Sequence, residues 1–259
     1  MIRKMHKLNF GVLVIGLFLL AAACGETPMQ STTERSSRAV EKFIKHVTAP
    51  DFKRLVDAGS RIILDVRTPE EVAQGCIANA STINLYDQDF EEKINLIPKD
   101  KEICVYCKVG GRSAEAVKIL EKNGFNKIYN LRNGILEWEN EGFPVERSAP
   151  ENDEKIQTVS LTDFTALLET EMPVLVDFHT VWCSPCRKMA PIIDEIEAQY
   201  EEKAKIMRID VDKSKELAKE YEIQGVPVFM LFKNGSVAWK HHGVISEEEL
   251  KAQIEAVLI

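Results

Sequence analysis

The chain has 259 residues, 45% of them hydrophobic, and a formal net charge of −8. This length exceeds one ordinary compact domain, so two domains behind a short leader are expected; the pI near 5.3 excludes the basic face that phosphate contacts require, and no nucleic-acid partner is expected. Six cysteines are too few for a disulfide framework in so long a chain, yet Cys104/Cys107 and Cys183/Cys186 form two pairs at C-x-x-C spacing, which points to reactive sulfur or metal.

At the N-terminus, Arg3, Lys4 and Lys7 precede an apolar stretch from Phe10 to Leu20. The stretch is shorter than the roughly 20 residues of a membrane-spanning helix. Ala21, Ala22 and Ala23 then lead to Cys24, and small residues directly before a cysteine resemble the lipobox of bacterial lipoproteins, although Ala21 stands where leucine is commonest. The resemblance implies a signal peptide over 1–24, lipidation of Cys24, and a mature protein held to a bacterial membrane and facing the periplasm. An ordinary secretory signal or an uncleaved anchor stays open, and either also implies export. Residues 25–39 are polar and without apolar period, which reads as a tether.

A first domain is expected over 40–147. Arg61 to Val66 and Glu102 to Tyr106 are near-continuous apolar runs of the kind found in strands buried on both faces. Ala114, Val117 and Leu120 share one face of a helix that Gly124 would cap. Between the second strand and this helix lies Cys107-Lys108-Val109-Gly110-Gly111-Arg112. Two glycines let the backbone curl so that successive N–H groups face inward, a nest that stabilises a thiolate or the outer sulfur of a persulfide.

This C-x-x-G-x-R-S loop, with Leu64-Asp65-Val66-Arg67, Pro69-Glu70-Glu71, Asn133-Gly134, Trp138 and Gly142-Phe143-Pro144-Val145, resembles the rhodanese sulfurtransferases. The resemblance implies a parallel-sheet α/β domain and a catalytic Cys107 with Arg112. Lys108, Gly110 and Gly111 would line the site for a small anionic sulfur donor such as thiosulfate, and Asp65 and Arg67 would hold the loop in place. Gly75-Cys76-Ile77-Ala78-Asn79-Ala80 departs from the family pattern, and a rhodanese fold kept only for binding stays open. Cys76 and Cys104 read as small buried hydrophobes.

Residues 148–155 form a polar link, and a second domain is expected over 156–259. Pro173 to Phe178 is a buried strand that leads straight to Trp182-Cys183-Ser184-Pro185-Cys186. Met189, Ile192, Ile193, Ile196 and Tyr200 recur at helical spacing, which places Cys183 at a helix N-terminus and Cys186 in the first turn, with Pro191 inside the helix. Ile206–Val211 reads as a strand, Ser214–Tyr221 as a helix, Val228–Phe232 and Val237–Lys240 as a hairpin around Asn234-Gly235, and a last helix opens on the Ser246/Glu249 capping pair. The order β-α-β-α-β-β-α indicates an α/β layer with a mixed sheet. Helix N-terminal N–H groups lower a thiol's pKa, so Cys183 is expected to be the exposed nucleophile and Cys186 the more buried resolving thiol.

W-C-x-P-C after a buried strand, with a later Val-Pro, resembles thioredoxin over this whole segment. The resemblance implies roles for Asp177 as a buried proton acceptor, for Pro227 as a cis-proline, and for Trp182, Val226 and Gly243 as the substrate-facing surface. Ser184 in place of glycine and Arg208 in place of lysine depart from the family. A structural disulfide or a zinc half-site is the bland alternative, but zinc wants a second pair converging on the first, so neither metal nor cofactor is expected. The expected protein is α/β throughout, an exported thiol/disulfide oxidoreductase with protein clients, a membrane-embedded electron donor and a persulfide site on Cys107. The competing reading is a disulfide reductase or oxidase whose first domain binds clients without chemistry.

Overall fold

The computed structural model describes residues 42–147 and 156–258. The leader, Cys24, the tether and the 148–155 link lie outside the described residues. Among the described residues no helix is long and apolar enough to cross a membrane.

The first domain runs β1 (Phe43–Val47), α1 (Ala49–Asp57), β2 (Ile62–Asp65), α2 (Pro69–Ala73), β3 (Ala80–Thr82), α3 (Phe90–Ile94), β4 (Ile103–Tyr106), α4 (Gly111–Lys122), β5 (Lys127–Leu131) and α5 (Gly134–Asn140). Its sheet has the order β1-β5-β4-β2-β3 with every pairing parallel. The two central strands are the two apolar runs, because helices cover both faces there and every position is apolar or buried. One face packs Phe52 of α1 and Ile135 and Trp138 of α5 on Tyr106 and Leu131. Trp138 satisfies its buried indole N–H on Pro144 O at 2.9 Å. The other face packs Val117 and Leu120 of α4 on Val105 and Ile128.

The second domain runs β6 (Ile156–Gln157), α6 (Leu161–Leu167), β7 (Val174–His179), α7 (Ser184–Tyr200), β8 (Lys205–Asp210), α8 (Lys215–Glu220), β9 (Val228–Lys233), β10 (Ser236–His242) and α9 (Glu247–Leu258). Its order is β10-β9-β7-β8-β6, with β6, β8 and β7 parallel and β9 and β10 antiparallel. The fold is thus a parallel α/β domain followed by a mixed-sheet α/β domain, as the sequence predicts. Buried β7 alternates its partners: Leu175 joins Ile193 and Ile196 of α7 on one face, and Val174, Val176 and Phe178 join Phe164 and Leu217 on the other. The elements β6 and α6, which precede the first predicted strand, are short and partly exposed, so no apolar period marks them.

Candidate functional site

At the end of β7 the chain leaves the sheet through Thr180 and Val181 and enters α7. Cys183 is the N-cap of that helix, with extended backbone dihedrals, and Pro185 occupies its first turn, where no intrahelical N–H is required. Cys183 and Cys186 are joined in a disulfide, and the Cys186 N–H donates to Cys183 Sγ at 3.1 Å. A helix N-terminal donor aimed at Cys183 Sγ stabilises charge on that sulfur once the bond is reduced. Trp182 is fixed by its indole N–H, which donates to Asp212 Oδ2 at 2.6 Å. Burial pushes the Asp212 carboxyl up, against the pull of that hydrogen bond.

Beneath the disulfide, β7 carries Asp177 fully buried. The parallel register with β8 puts Arg208 beside it, Nε 3.7 Å from Asp177 Oδ2, and His179 Nδ1 lies 3.4 Å from the same oxygen. Asp177 and His179 are two residues apart on one strand, hence on one face. The peptide Val226-Pro227 is cis, and Pro227 O accepts from the Gly243 N–H at 2.8 Å, which brings Gly243 beside the proline.

In the first domain Cys107 follows β4 directly, and its side chain is fully buried. The Gly110 N–H donates to Cys107 Sγ at 3.1 Å. Gly110 has φ of 93° and caps α4, which begins at Gly111, two residues before the predicted start. A Cβ at Gly110 would sit 1.8 Å from Arg132 O, and one at Gly134 would sit 2.4 Å from Cys107 O. Both glycines therefore let the Cys107 loop and the 132–135 turn approach without side chains between them. The Ile135 N–H completes the clamp by donating to Cys107 O at 2.8 Å. Lys108 and Gly111 are exposed at the rim. Arg112 makes a bidentate bridge to Glu71 at 2.6 and 2.7 Å, so its charge is shared with a carboxylate. Asp65 and Arg67 pair in the interior, where Arg67 also donates to Gly75 O at 2.7 Å, tying the 71–75 segment to the end of β2. Cys104 and Cys76 are buried, and burial pushes the Cys104 thiol up to about 12.

A family model described as Thioredoxin matches residues 155–256, and one described as Rhodanese-like domain matches residues 48–141. Thioredoxin of Synechocystis is 39% identical over 92 residues, which cover 36% of this chain and 86% of that protein. The chain belongs to the thioredoxin family. Thioredoxin of Pseudomonas aeruginosa is 36% identical over 90 residues, covering 35% of this chain and 83% of that protein. The chloroplastic thioredoxin Y of rice is 40% identical over 105 residues, and the chain spans 61% of its length. A crystal structure of a rhodanese-related protein from Thermoplasma volcanium is similar at 35% identity and a TM-score of 0.37, covering 40% of this chain and 99% of that one.

The exposed thiol predicted from the helix N-terminus is not found: Cys183 is 2% exposed and Cys186 1%. The reason is the rhodanese-like domain, which lies over the thioredoxin-like site. The Thr82 N–H donates to Trp182 O at 3.3 Å, and the Ser184 N–H donates to Ser81 Oγ at 3.0 Å. Arg187 Nη2 donates to Ala80 O at 2.7 Å, and the Val226 N–H donates to Leu96 O at 3.0 Å. Lys215 and Glu92 add an exposed ion pair. These contacts had no signal in the sequence, because six of the eight hydrogen-bonding groups are backbone N–H or C=O, which every residue but proline supplies, and the Ser81 hydroxyl lies on the three-residue edge strand β3.

Proposed function

We propose that the protein is an exported thiol/disulfide oxidoreductase whose rhodanese-like domain carries sulfur as a persulfide on Cys107. The observation that carries the first half is the N-cap position of Cys183, with a helix N–H directed at its sulfur and Cys186 one turn on. In the reducing direction the Cys183 thiolate attacks a client disulfide, forming a mixed disulfide and releasing one client thiolate. Cys186 then attacks Cys183 Sγ, expelling the second client thiolate and restoring the Cys183–Cys186 disulfide. Asp177, with His179 beside it, is the proton acceptor for Cys186. The pair is reduced again by a membrane-embedded electron donor.

The second half rests on the Gly110 N–H directed at Cys107 Sγ in a loop held open by two glycines. Cys107 takes the outer sulfur of thiosulfate and sulfite leaves. The outer sulfur of the resulting persulfide is electrophilic, so Cys183 attacks it and frees Cys107 as a thiol. Cys186 then attacks Cys183, which expels sulfide and leaves a disulfide. The two domains share one chain, so this transfer is intramolecular. Reduced protein loaded with thiosulfate should release sulfide at a rate independent of protein concentration, and Cys107→Ser and Cys186→Ser should not. Equal release by Cys107→Ser would replace the sulfur-carrier reading by a client-binding module.

Export and anchoring rest on the leader and Cys24. In a bacterial host, Cys24→Ala should move the protein from the detergent-extracted membrane fraction to the soluble fraction or leave it uncleaved. An unchanged fractionation would remove the lipid anchor from the reading.

A further inference from the structure

The sulfur pair of the thioredoxin-like domain is sealed by the same chain. Trp182 is 6% exposed, Cys183 2% and Val226 5%, although all three belong to loops at the end of the sheet, where a reacting disulfide must arrive. The cover has two parts. Edge strand β3 sets the Thr82 N–H on Trp182 O and Ser81 Oγ on the Ser184 N–H, on either side of Cys183. The 96–98 segment takes the Val226 N–H on Leu96 O and rests Pro98 against Gly225, where a Cβ would meet Pro98 Cγ at 3.2 Å.

We propose that the rhodanese-like domain is a gate on the thioredoxin-like site: docked, it excludes protein disulfides from Cys183, and exchange with a protein begins only when the two domains part. The inference rests on the oxidoreductase reading of Cys183. A client disulfide must bring its sulfur to roughly 3–3.5 Å from Cys183 Sγ, in line with the bond it breaks. A protein can do this only by laying its own backbone where β3 and Leu96 already lie. A small disulfide needs far less of that surface.

The docked arrangement is closed to internal traffic as well. β3 is the strand that meets Cys183, and Cys107 follows β4, which lies two positions further into the sheet. Two interstrand spacings amount to roughly 10 Å, beyond the reach of sulfur–sulfur attack. Discharge of a Cys107 persulfide therefore also needs the domains to part, and one motion serves both reactions. The seal is reversible: among the described residues no disulfide crosses it, and beside its apolar contact the directional bonds are a few hydrogen bonds and one exposed ion pair.

Two substitutions loosen the seal away from the reacting groups. Ser81→Ala removes the acceptor of the Ser184 N–H without adding bulk. Thr82→Pro removes the N–H that points across the interface; the sheet keeps its own bond at this edge, because the Ile83 N–H pairs with Asp65 O at 2.9 Å. The full chain, reduced with dithiothreitol and then freed of it by gel filtration, is assayed in single turnover on insulin and on 5,5′-dithiobis(2-nitrobenzoate). Loss of one hydrogen bond from the docked state should raise insulin reduction by about three- to tenfold in Ser81→Ala and at least that in Thr82→Pro. Reduction of the small disulfide should change by less than about twofold, because a small reagent gains little from opening. Equal rates on insulin for parent and both variants, with the small disulfide still reduced, would overturn the gate and leave the oxidoreductase reading intact. Failure of all three on the small disulfide would overturn that reading and the gate with it.

Discussion

At the level of single residues, the Cys107 loop of the rhodanese-like domain is braced by one carboxylate. Glu71 closes the capping box of α2 by accepting from the Thr68 N–H at 3.1 Å, and it holds Arg112 of α4 through both oxygens. The Arg112 hydrogen bonds hold the Glu71 carboxyl down to about 2 from 4.5, against the smaller upward push of burial. A folded-state pKa below the unfolded value means that the stabilisation is fully present above about pH 4.5 and is lost as pH falls towards 2. The pair is partly solvated, with side chains 18% and 20% exposed, so screening reduces its value to on the order of 1–2 kcal/mol. Glu71→Gln should lower stability by that amount at neutral pH, and the gap between variant and parent should close as pH falls through the 4.5–2 window. Urea titrations at stepped pH check this; a gap that stays constant across the window would mean that Glu71 acts through packing and not through its charge.

At the level of elements, the sequence made legible what is buried on both faces or strongly periodic. Strands β2, β4, β7 and β9 are apolar runs, and α4 and α7 carry their 3.6-residue period, so both cysteine motifs fall at strand-to-helix junctions by sequence pattern alone. Of the four edge strands only β10 was legible, because Asn234-Gly235 marks the turn that leads into it; the other three were not. β1 is FIKHV with exposed Lys45 and His46, β3 is three residues with one serine and one threonine, and β6 is a dipeptide. Such segments take strand form because a neighbour supplies a hydrogen-bond ladder, which is a tertiary cause with no local signature. The same division runs through the sites. Cys107, Gly110 and Gly111 were readable as a nest, but Gly134 shows its purpose only where its missing side chain admits Cys107 O. His179 had a readable signal, since it stands two residues from Asp177 on a strand and so must share its face. The cover over Cys183 had none: Leu96 contributes a carbonyl and Thr82 an amide, groups that every residue but proline owns in full.

At the level of the whole molecule, the two domains share a buried cluster as well as hydrogen bonds. It runs without a break from Leu64, Val66 and Ile83 of the rhodanese-like domain through Trp182, Cys183 and Val226 to Phe178 and Phe232. Each cross-domain hydrogen bond contributes about 1 kcal/mol, and the exposed Lys215–Glu92 pair contributes about 0–1 kcal/mol and is screened by salt. A continuous core couples the unfolding of its parts, because melting one domain exposes apolar surface on the other. Urea unfolding of the full chain should therefore be a single transition, with tryptophan fluorescence and far-UV circular dichroism superimposing. Trp138 in the core of the first domain and Trp182 at the interface report different places, so superposition is a real test of coupling. Thr82→Pro weakens the interface and leaves both domain cores intact, so it should separate the two curves into a lower and an upper transition. Two transitions in the parent would mean that the domains rest on each other without stabilising each other. The docked arrangement would then be too weak to keep a protein disulfide from Cys183.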